Sequence, residues 1–363
     1  MPTPGEHKTV QARILAYAEA IGWTIVPRVE AEQRRGFDPD VPPADRAKNR
    51  SLFFDDLLDT KLREFNPRYA EAEGALLGAF RHLHADIYGN REFIEHLRNR
   101  GKFFDHEEKR ERDLILIDYD DPARNVYEVT EEWAFHNGHY GTREDVVFLI
   151  NGIPVLVIEC KNANKDEAIA LGVDQIRRYH RETPELFVSQ QLFTATDAIG
   201  FSYGVSWNTV RRNIFNWKDG EVGKLEAKVK SFCAIPQVLA FLKDYIVFAE
   251  KDEELNKYIL RQHQTGAVEA AVSRALDPGR TRGLVWHTQG SGKTFTMIKA
   301  AERLFRAPGA DKPTVLLMID RNEAGRGRPR RLPTPTTSYY ACSWSWFALT
   351  TGLRSIPTIN LLP

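Results

Sequence analysis

Two five-residue apolar runs, Val146-Val147-Phe148-Leu149-Ile150 and Pro154-Val155-Leu156-Val157-Ile158, stand on either side of Asn151-Gly152. An Asn-Gly pair favours the positive backbone angles of a tight hairpin turn, so the runs are expected to pair as antiparallel strands. Neither run alternates apolar with polar residues. A strand of that kind cannot leave one face in water, and the chain must place other elements over both faces of its sheet. Strand-like runs at Leu114–Ile117, Val126–Val129 and Leu192–Thr196 supply neighbours. An amphipathic helix is expected over 69–88, where Ala75, Leu76, Ala79, Phe80 and Leu83 recur at helical spacing. Asn164 with Glu167 has the form of a capping box opening a helix to about His180. This order of elements reads as an α/β fold.

A chain of 363 residues exceeds one ordinary core and points to two or three domains. Lys+Arg and Asp+Glu both count 50, so any contact with nucleic acid has to come from local patches rather than overall charge. Three scattered cysteines, Cys160, Cys233 and Cys342, lack metal-ligand spacing and read as reduced thiols. No signal-like segment opens the chain and no apolar stretch reaches the ~18 residues of a membrane span, so a cytoplasmic protein without membrane contact is expected. Gln11 to Ile25 reads as a short helix and strand, followed by an irregular polar stretch to about Arg50.

The charges that close the two apolar strands carry the sharpest chemistry. Arg143-Glu144-Asp145 precedes the first run and Glu159-Cys160-Lys161 follows the second. Asp145 and Glu159, on neighbouring strands, can share one divalent cation, because hard cations prefer carboxylate oxygen. Such a cation acidifies its bound water and stabilises charge on a phosphoryl oxygen. Glu159 and Lys161 are two apart and share a strand face, which sets an ammonium beside that centre. Register decides whether the site exists. A strict two-residue turn with no bulge puts Asp145 opposite Ile158 and on the wrong face; a three-residue connection with Gly152 as bulge residue brings it beside Glu159, and this bulged form is expected. Gln175 and Tyr179, one turn apart on the following helix, project together over the same sheet edge. A Glu-x-Lys closing a strand also occurs as a solvated charge cluster, and the residues alone leave both readings open.

A second unit follows a helical stretch near 235–254. Thr281–His287 reads as a strand, Gln289–Thr294 as a Gly-rich loop, Phe295–Phe305 as a helix and Val315–Ile319 as a strand, a βαβ unit. In His287-Thr288-Gln289-Gly290-Ser291-Gly292-Lys293-Thr294, backbone N–H groups can cradle phosphates, Lys293 can reach the β/γ oxygens and Thr294 can bind Mg²⁺. From Ala324 onward the sequence shows neither helical nor strand periodicity, and a departure from the reading frame is the favoured account of this tail.

Asp145, Glu159-Cys160-Lys161 and Gln175-x-x-x-Tyr179 together resemble the PD-(D/E)xK nuclease motif with its Q-x-x-x-Y extension. The context Tyr140-Gly141-Thr142-Arg143-Glu144-Asp145 through Asn151-Gly152-Ile153-Pro154 resembles the motor-nuclease subunit of type I restriction enzymes. Glu144 departs from the Pro of the motif name, and Cys160 stands where an apolar residue is common. The Gly290-Ser291-Gly292-Lys293-Thr294 core resembles helicase-type motors of superfamily 2, and Gln264 resembles their adenine-reading glutamine. Asp320-Arg321-Asn322-Glu323 resembles the strand-end segment that follows the phosphate loop in the type I family. The resemblance covers roughly residues 50–323 and implies a C-terminally truncated R subunit.

That resemblance implies an N-terminal extension (1–50), a restriction-endonuclease-like core (51–225), a helical linker (226–255), a partial RecA-like ATP-binding lobe (256–323) and an irregular tail (324–363). Asp145 and Glu159 would bind Mg²⁺ and Lys161 would be the catalytic lysine. Gln175 and Tyr179 would assist on DNA, and Gln264, Gly290, Ser291, Gly292, Lys293 and Thr294 would hold ATP. The implied function is Mg²⁺-dependent cleavage of double-stranded DNA in a complex with methyltransferase (M) and specificity (S) subunits. Another helicase-linked nuclease, or a non-catalytic nucleotide-binding module, would share some of these features.

Overall fold

The structure, a computed structural model, describes residues 10–36, 51–72, 74–162, 167–197, 199–218, 224–251, 253–279, 282–288, 291–310, 313–318, 346–350 and 358–362. These fall into two compact units, Met1–Ile259 and Leu260–Pro363.

The first unit is a mixed α/β layer structure around a seven-stranded sheet. In chain order its elements include helix α1 (Ala12–Glu19), strand β1 (Thr24–Ile25) and helices α2 (Arg28–Arg34), α3 (Asp55–Phe65), α4 (Ala75–Arg81) and α5 (Ile87–Leu97). Strands β2 (Gly101–Asp105) and β3 (Arg110–Leu114) form a separate hairpin, and then come β4 (Tyr127–His136), β5 (Gly141–Ile150) and β6 (Ile153–Cys160). Helix α6 (Ala168–Glu182) and the short α7 (Leu186–Ser189) lead to β7 (Leu192–Thr196), β8 (Phe201–Val205) and β9 (Phe215–Asn216). The sheet order is β1-β4-β5-β6-β7-β8-β9, with β1/β4 and β6/β7 parallel and the remaining neighbours antiparallel. β6, α6 and β7 thus form a crossover that lays α6 against the sheet. Val147, Leu149, Val157, Phe193 and Ala195 pack with Val173, Ile176 and Tyr179 of α6 in one buried cluster. All residues of β5 from Val146 to Ile150 and of β6 from Ile153 to Cys160 are buried, as their unbroken apolar pattern requires.

Several expectations change. The stretch over 69–88 is not one helix: α4 ends at Arg81, and Asp86 caps a new helix by accepting from the N–H groups of Tyr88 and Gly89. The apolar run at Leu114–Ile117 lies mostly beyond β3. Its backbone is instead paired by asparagine amides: Asn66 with Ile115, Asn99 with Leu116 and Ile117, and Asn151 with the Leu116 carbonyl. Buried peptide groups need partners, and here side chains replace a neighbouring strand. Residues 24–25, assigned to an extension, are an edge strand of the main sheet, in register with Glu128 and Val129.

The stretch expected to be a helical linker belongs to the first unit. Helices α8 (Leu225–Phe232) and α9 (Ile235–Ala240) are followed by a π-helical turn and the hairpin β10 (Ile246–Lys251) and β11 (Glu254–Ile259). Phe232 packs in an aromatic cluster with Phe201, Tyr203, Trp217 and Phe241. Lys257 of β11 is fully buried and donates to Asn90, Gln191 and Ser206.

The second unit contains α10 (Gln262–Leu276), β12 (Arg282–Trp286), α11 (Lys293–Arg306) and β13 (Thr314–Met318). Where an irregular tail was expected, Trp346–Thr350 (β14) and Thr358–Leu362 (β15) are strands, and the sheet order is β12-β15-β14-β13. The strands joined by α11 are therefore not neighbours. Asn164, Ile319 and the segment Asp320–Glu323 lie outside the described residues.

Candidate active site

The hairpin turn is tighter than the sequence reading expected, and its bulge lies elsewhere. Ile150 faces Ile153 directly across a two-residue turn, with Asn151 at φ 52° and Gly152 at φ 80°. A Cβ on Gly152 would lie 2.7 Å from the Phe54 carbonyl oxygen, so glycine answers both the backbone angle and the space. The register then shifts between Phe148 and Leu149: Leu149 faces Pro154 while Phe148 faces Leu156, leaving Val155 as the extra residue. Val146 consequently faces Ile158, the last pair of the ladder, and the same register carried one step further brings Asp145 beside Glu159. The one-residue shift demanded by the site is present, but it is made inside β6 and not at Gly152. Pro154 has no N–H to give to a ladder, which makes this stretch of β6 the place where pairing is most easily interrupted.

Asp145, Glu159 and Lys161 meet at that sheet edge. Lys161 Nζ lies 3.0 Å from Glu159 Oε1 and 3.8 Å from Asp145 Oδ2, and it donates to the Cys160 carbonyl at 2.9 Å. Asp145 Oδ2 accepts the Cys160 N–H at 2.7 Å. Both carboxylates are buried, and Glu159 Oε2 has no hydrogen-bond donor. Burial raises the Asp145 pKa, against the lowering effect of the Cys160 N–H and Lys161. Burial, together with neighbouring Asp145, pushes Glu159 well above the ordinary carboxylate range. Lys161 offsets only one of the two buried carboxylate charges, and the orphaned Glu159 oxygen is left for a second cation. The donor set fits a hard divalent ion, which would take its remaining ligands from water as Mg²⁺ commonly does. Among the described residues no group of three or more His, Cys, Asp or Glu is arranged to hold a metal.

Helix α6 completes the centre from above. Tyr179 Oη donates to the Arg143 carbonyl of β5 at 2.7 Å, and Gln175 Nε2 donates to Tyr179 Oη at 2.6 Å. The expected Gln175/Tyr179 pair is thus assembled next to the carboxylates. Its α6 N-terminus is Glu167 in the left-handed region, with no side-chain cap bond, so the expected capping box does not open the helix.

Sequence reasoning missed three contributors. A Cβ on Gly172 would stand 3.0 Å from Ala195 Cβ, 3.7 Å from Lys161 Cγ and 3.8 Å from Glu159 Cγ. Glycine there lets α6 close onto the site, and its spacing to Gln175 and Tyr179 was the available signal. Glu144, read as an incidental departure from the motif, is fully buried; desolvation pushes its pKa up to about 8, and Gln190 Nε2 donates to it at 2.6 Å. Glu132 of β4 adopts φ 55° in mid-strand, where the ladder to β5 skips from Glu131–Val146 to Trp133–Glu144.

In the second unit, Gly292 (φ 81°) caps α11, whose first residues are Lys293 and Thr294. Ser291 is buried, and its hydroxyl has no partner. Gln264 stands against this loop: Nε2 donates to the Gly292 carbonyl at 2.8 Å and Oε1 accepts the Arg261 N–H at 2.7 Å. Its amide is engaged by the protein itself, a role the sequence reading did not assign. Gln289 and Gly290 lie outside the described residues.

Comparison with known proteins finds matches in both units. Residues 4–210 match the family described as type I restriction enzyme R protein N terminus, and residues 263–326 match SWI2/SNF2 ATPase. A putative type I restriction enzyme MjaVIIP endonuclease subunit from Methanocaldococcus jannaschii is 30% identical over 240 residues, 59% of this chain and 22% of that protein. The SauCOLORF180P endonuclease subunit of Staphylococcus aureus is 29% identical over 216 residues, 58% of this chain and 22% of that protein. The HindI endonuclease subunit of Haemophilus influenzae is 24% identical over 339 residues, 86% of this chain and 31% of that protein. The chain therefore spans between a fifth and a third of the relatives it matches.

Proposed function

The chain belongs to the type I restriction enzyme R protein N-terminus family, and from that premise we propose that its first unit is a PD-(D/E)xK-type endonuclease domain acting on double-stranded DNA with Mg²⁺. The observation that carries this reading is the register shift in β6, after which Lys161 Nζ lies 3.0 Å from Glu159 and 3.8 Å from Asp145. Mg²⁺ held by Asp145 and Glu159 would supply charge neutralisation at the phosphoryl group and a more acidic water. Hydrolysis joins a water oxygen to phosphorus and releases one ester oxygen, which takes up a proton. Lys161, fixed by the Glu159 carboxylate and the Cys160 carbonyl, presents its ammonium where negative charge grows on the phosphate oxygens. Tyr179 and Gln175 hold α6 over β5 and keep the lysine's surroundings in place.

The second unit reads as part of a RecA-like ATP-binding lobe, with Gly290, Ser291, Gly292, Lys293 and Thr294 around the phosphates and Mg²⁺. Lys293 at the first turn of α11 and the Gln264 amide on the Gly292 carbonyl support it. By the same reading the chain works as a cytoplasmic translocase-endonuclease subunit alongside M and S subunits. The test of the nuclease assignment is nicking of supercoiled plasmid in Mg²⁺. Wild-type chain is expected to nick and to stop in EDTA, while Lys161→Ala loses at least about a hundredfold in rate, the usual scale for one electrostatic group. Equal nicking by the variant would remove Lys161 from the chemistry.

A further inference from the structure

The chain carries no overall basic excess, so a DNA-directed site needs local cations. Arg143 is one. It lies two residues before Asp145 on β5, hence on the same face and about 7 Å along the strand. Its side chain is 60% exposed, and its Nε pairs with Glu132 Oε2 at 2.7 Å. Arg28, 44% exposed, reaches the same oxygen at 3.9 Å, and Gln11 Nε2 donates to Glu132 Oε1 at 3.4 Å. Glu132 is placed there by a left-handed backbone, φ 55°, in mid-strand beside the ladder position of Asp145. An L residue adopts that conformation at a cost, and such residues concentrate at functional sites. An ion pair whose arginine is largely exposed adds little to stability by itself, so strain spent on placing this carboxylate needs another use.

We propose that Arg143, with Arg28 beside it, binds a DNA backbone phosphate flanking the scissile one, and that Glu132 is the internal counter-ion which that phosphate displaces. The inference rests on the nuclease reading of Asp145 and Glu159. A guanidinium fork suits a phosphate as well as a carboxylate, so the Glu132 seat already has the geometry the phosphate needs. Binding of a short fluorescent duplex to the full chain, in EDTA and across a salt series, tests it apart from any cleavage. Arg143→Ala is expected to flatten the slope of log K against log salt by about 0.9 and to weaken binding about eightfold at 0.1 M salt. Arg143→Lys should keep the slope, and Glu132→Gln, which frees Arg143 and leaves Arg28 paired with Glu32, should tighten binding. Arg110→Ala removes an equally exposed (62%) arginine, paired with Glu108 on the separate β2–β3 hairpin, and should change nothing. An Arg143→Ala chain that binds like wild type, a Glu132→Gln chain that binds more weakly, or a wild-type chain that does not bind overturns the proposal. Loss of nicking in Lys161→Ala with unchanged binding in Arg143→Ala would reject the phosphate seat alone and leave the nuclease reading standing.

Discussion

Two buried carboxylates and one ammonium define the proposed nuclease centre, and their cost is visible residue by residue. Glu159 has a folded pKa well above its unfolded value near 4.3. A carboxyl raised in this way favours folding below about that pH, and the benefit is lost as pH rises toward the folded pKa. Metal-free Asp145→Asn and Glu159→Gln chains are therefore expected to be more stable than wild type at pH 8, by about 1–2 kcal/mol in urea unfolding, and not to nick DNA when Mg²⁺ is supplied. A variant less stable than wild type at that pH would show that Lys161 already balances both charges. The residue types and spacing of this centre were legible in the chain. Its geometry was not, because a one-residue register shift turns a side chain to the other face and no residue pattern specified Val155 as the extra one.

Helix α6 is the element that turns a charged sheet edge into an enclosed site. It is fastened by Tyr179 to β5 and by His180, which stacks on Phe187 at 3.7 Å and accepts the Trp207 N–H at 3.0 Å. Burial lowers the His180 pKa to about 4. Folding thus excludes a proton that the unfolded chain binds below about 6.5, and stability should fall as pH drops from 6.5 toward 4, by up to about 3 kcal/mol. Unfolding curves at several pH values, wild type against His180→Asn, check this; an unchanged slope in the variant would exclude His180 as its source. The approach of α6 depends on Gly172. Gly172→Val is expected to lift the helix from Ala195 and Lys161 and to reduce nicking at least about tenfold, at a stability loss of about 1–3 kcal/mol. Full nicking activity in that variant would show that the helix needs no such close contact. The helix was read from the capping-box form of Asn164 with Glu167, yet its start at Ala168 was not legible, since its N-cap Glu167 makes no side-chain cap bond.

At the scale of the whole molecule, the boundary between the two units separates the sequence reading from the structure most clearly. A nuclease domain ending near residue 225 would omit α8, α9 and the β10–β11 hairpin, together with the buried Lys257 and the aromatic cluster of Phe232 and Phe241. A chain cut after residue 225 is expected to be largely unfolded, because Asn90, Gln191 and Ser206 lose the buried Lys257 Nζ that pairs them. A chain cut after Ile259 should melt cooperatively and keep Mg²⁺-dependent nicking. Thermal melts and limited proteolysis of both distinguish these outcomes, and a well-folded 1–225 fragment would refute the role given to the hairpin. Residues 226–259 are rich in apolar side chains, Val238–Leu242 among them, but no local pattern says which unit's core they complete.

The sequence alone determined the α/β class, the central hairpin, the Asp145/Glu159/Lys161 set, the Gln175/Tyr179 pair and a helix opening close to Lys293. Those signals are local: apolar runs, turn dipeptides and residues a fixed number of positions apart. Only the tertiary structure decided where the bulge falls, that asparagine amides stand in for a strand at Ile115–Ile117, that residues 225–259 belong to the first unit, and that Glu132 faces Arg143. Each of these depends on groups brought together from distant parts of the chain, where pairing of buried polar atoms, and not periodicity, sets the outcome.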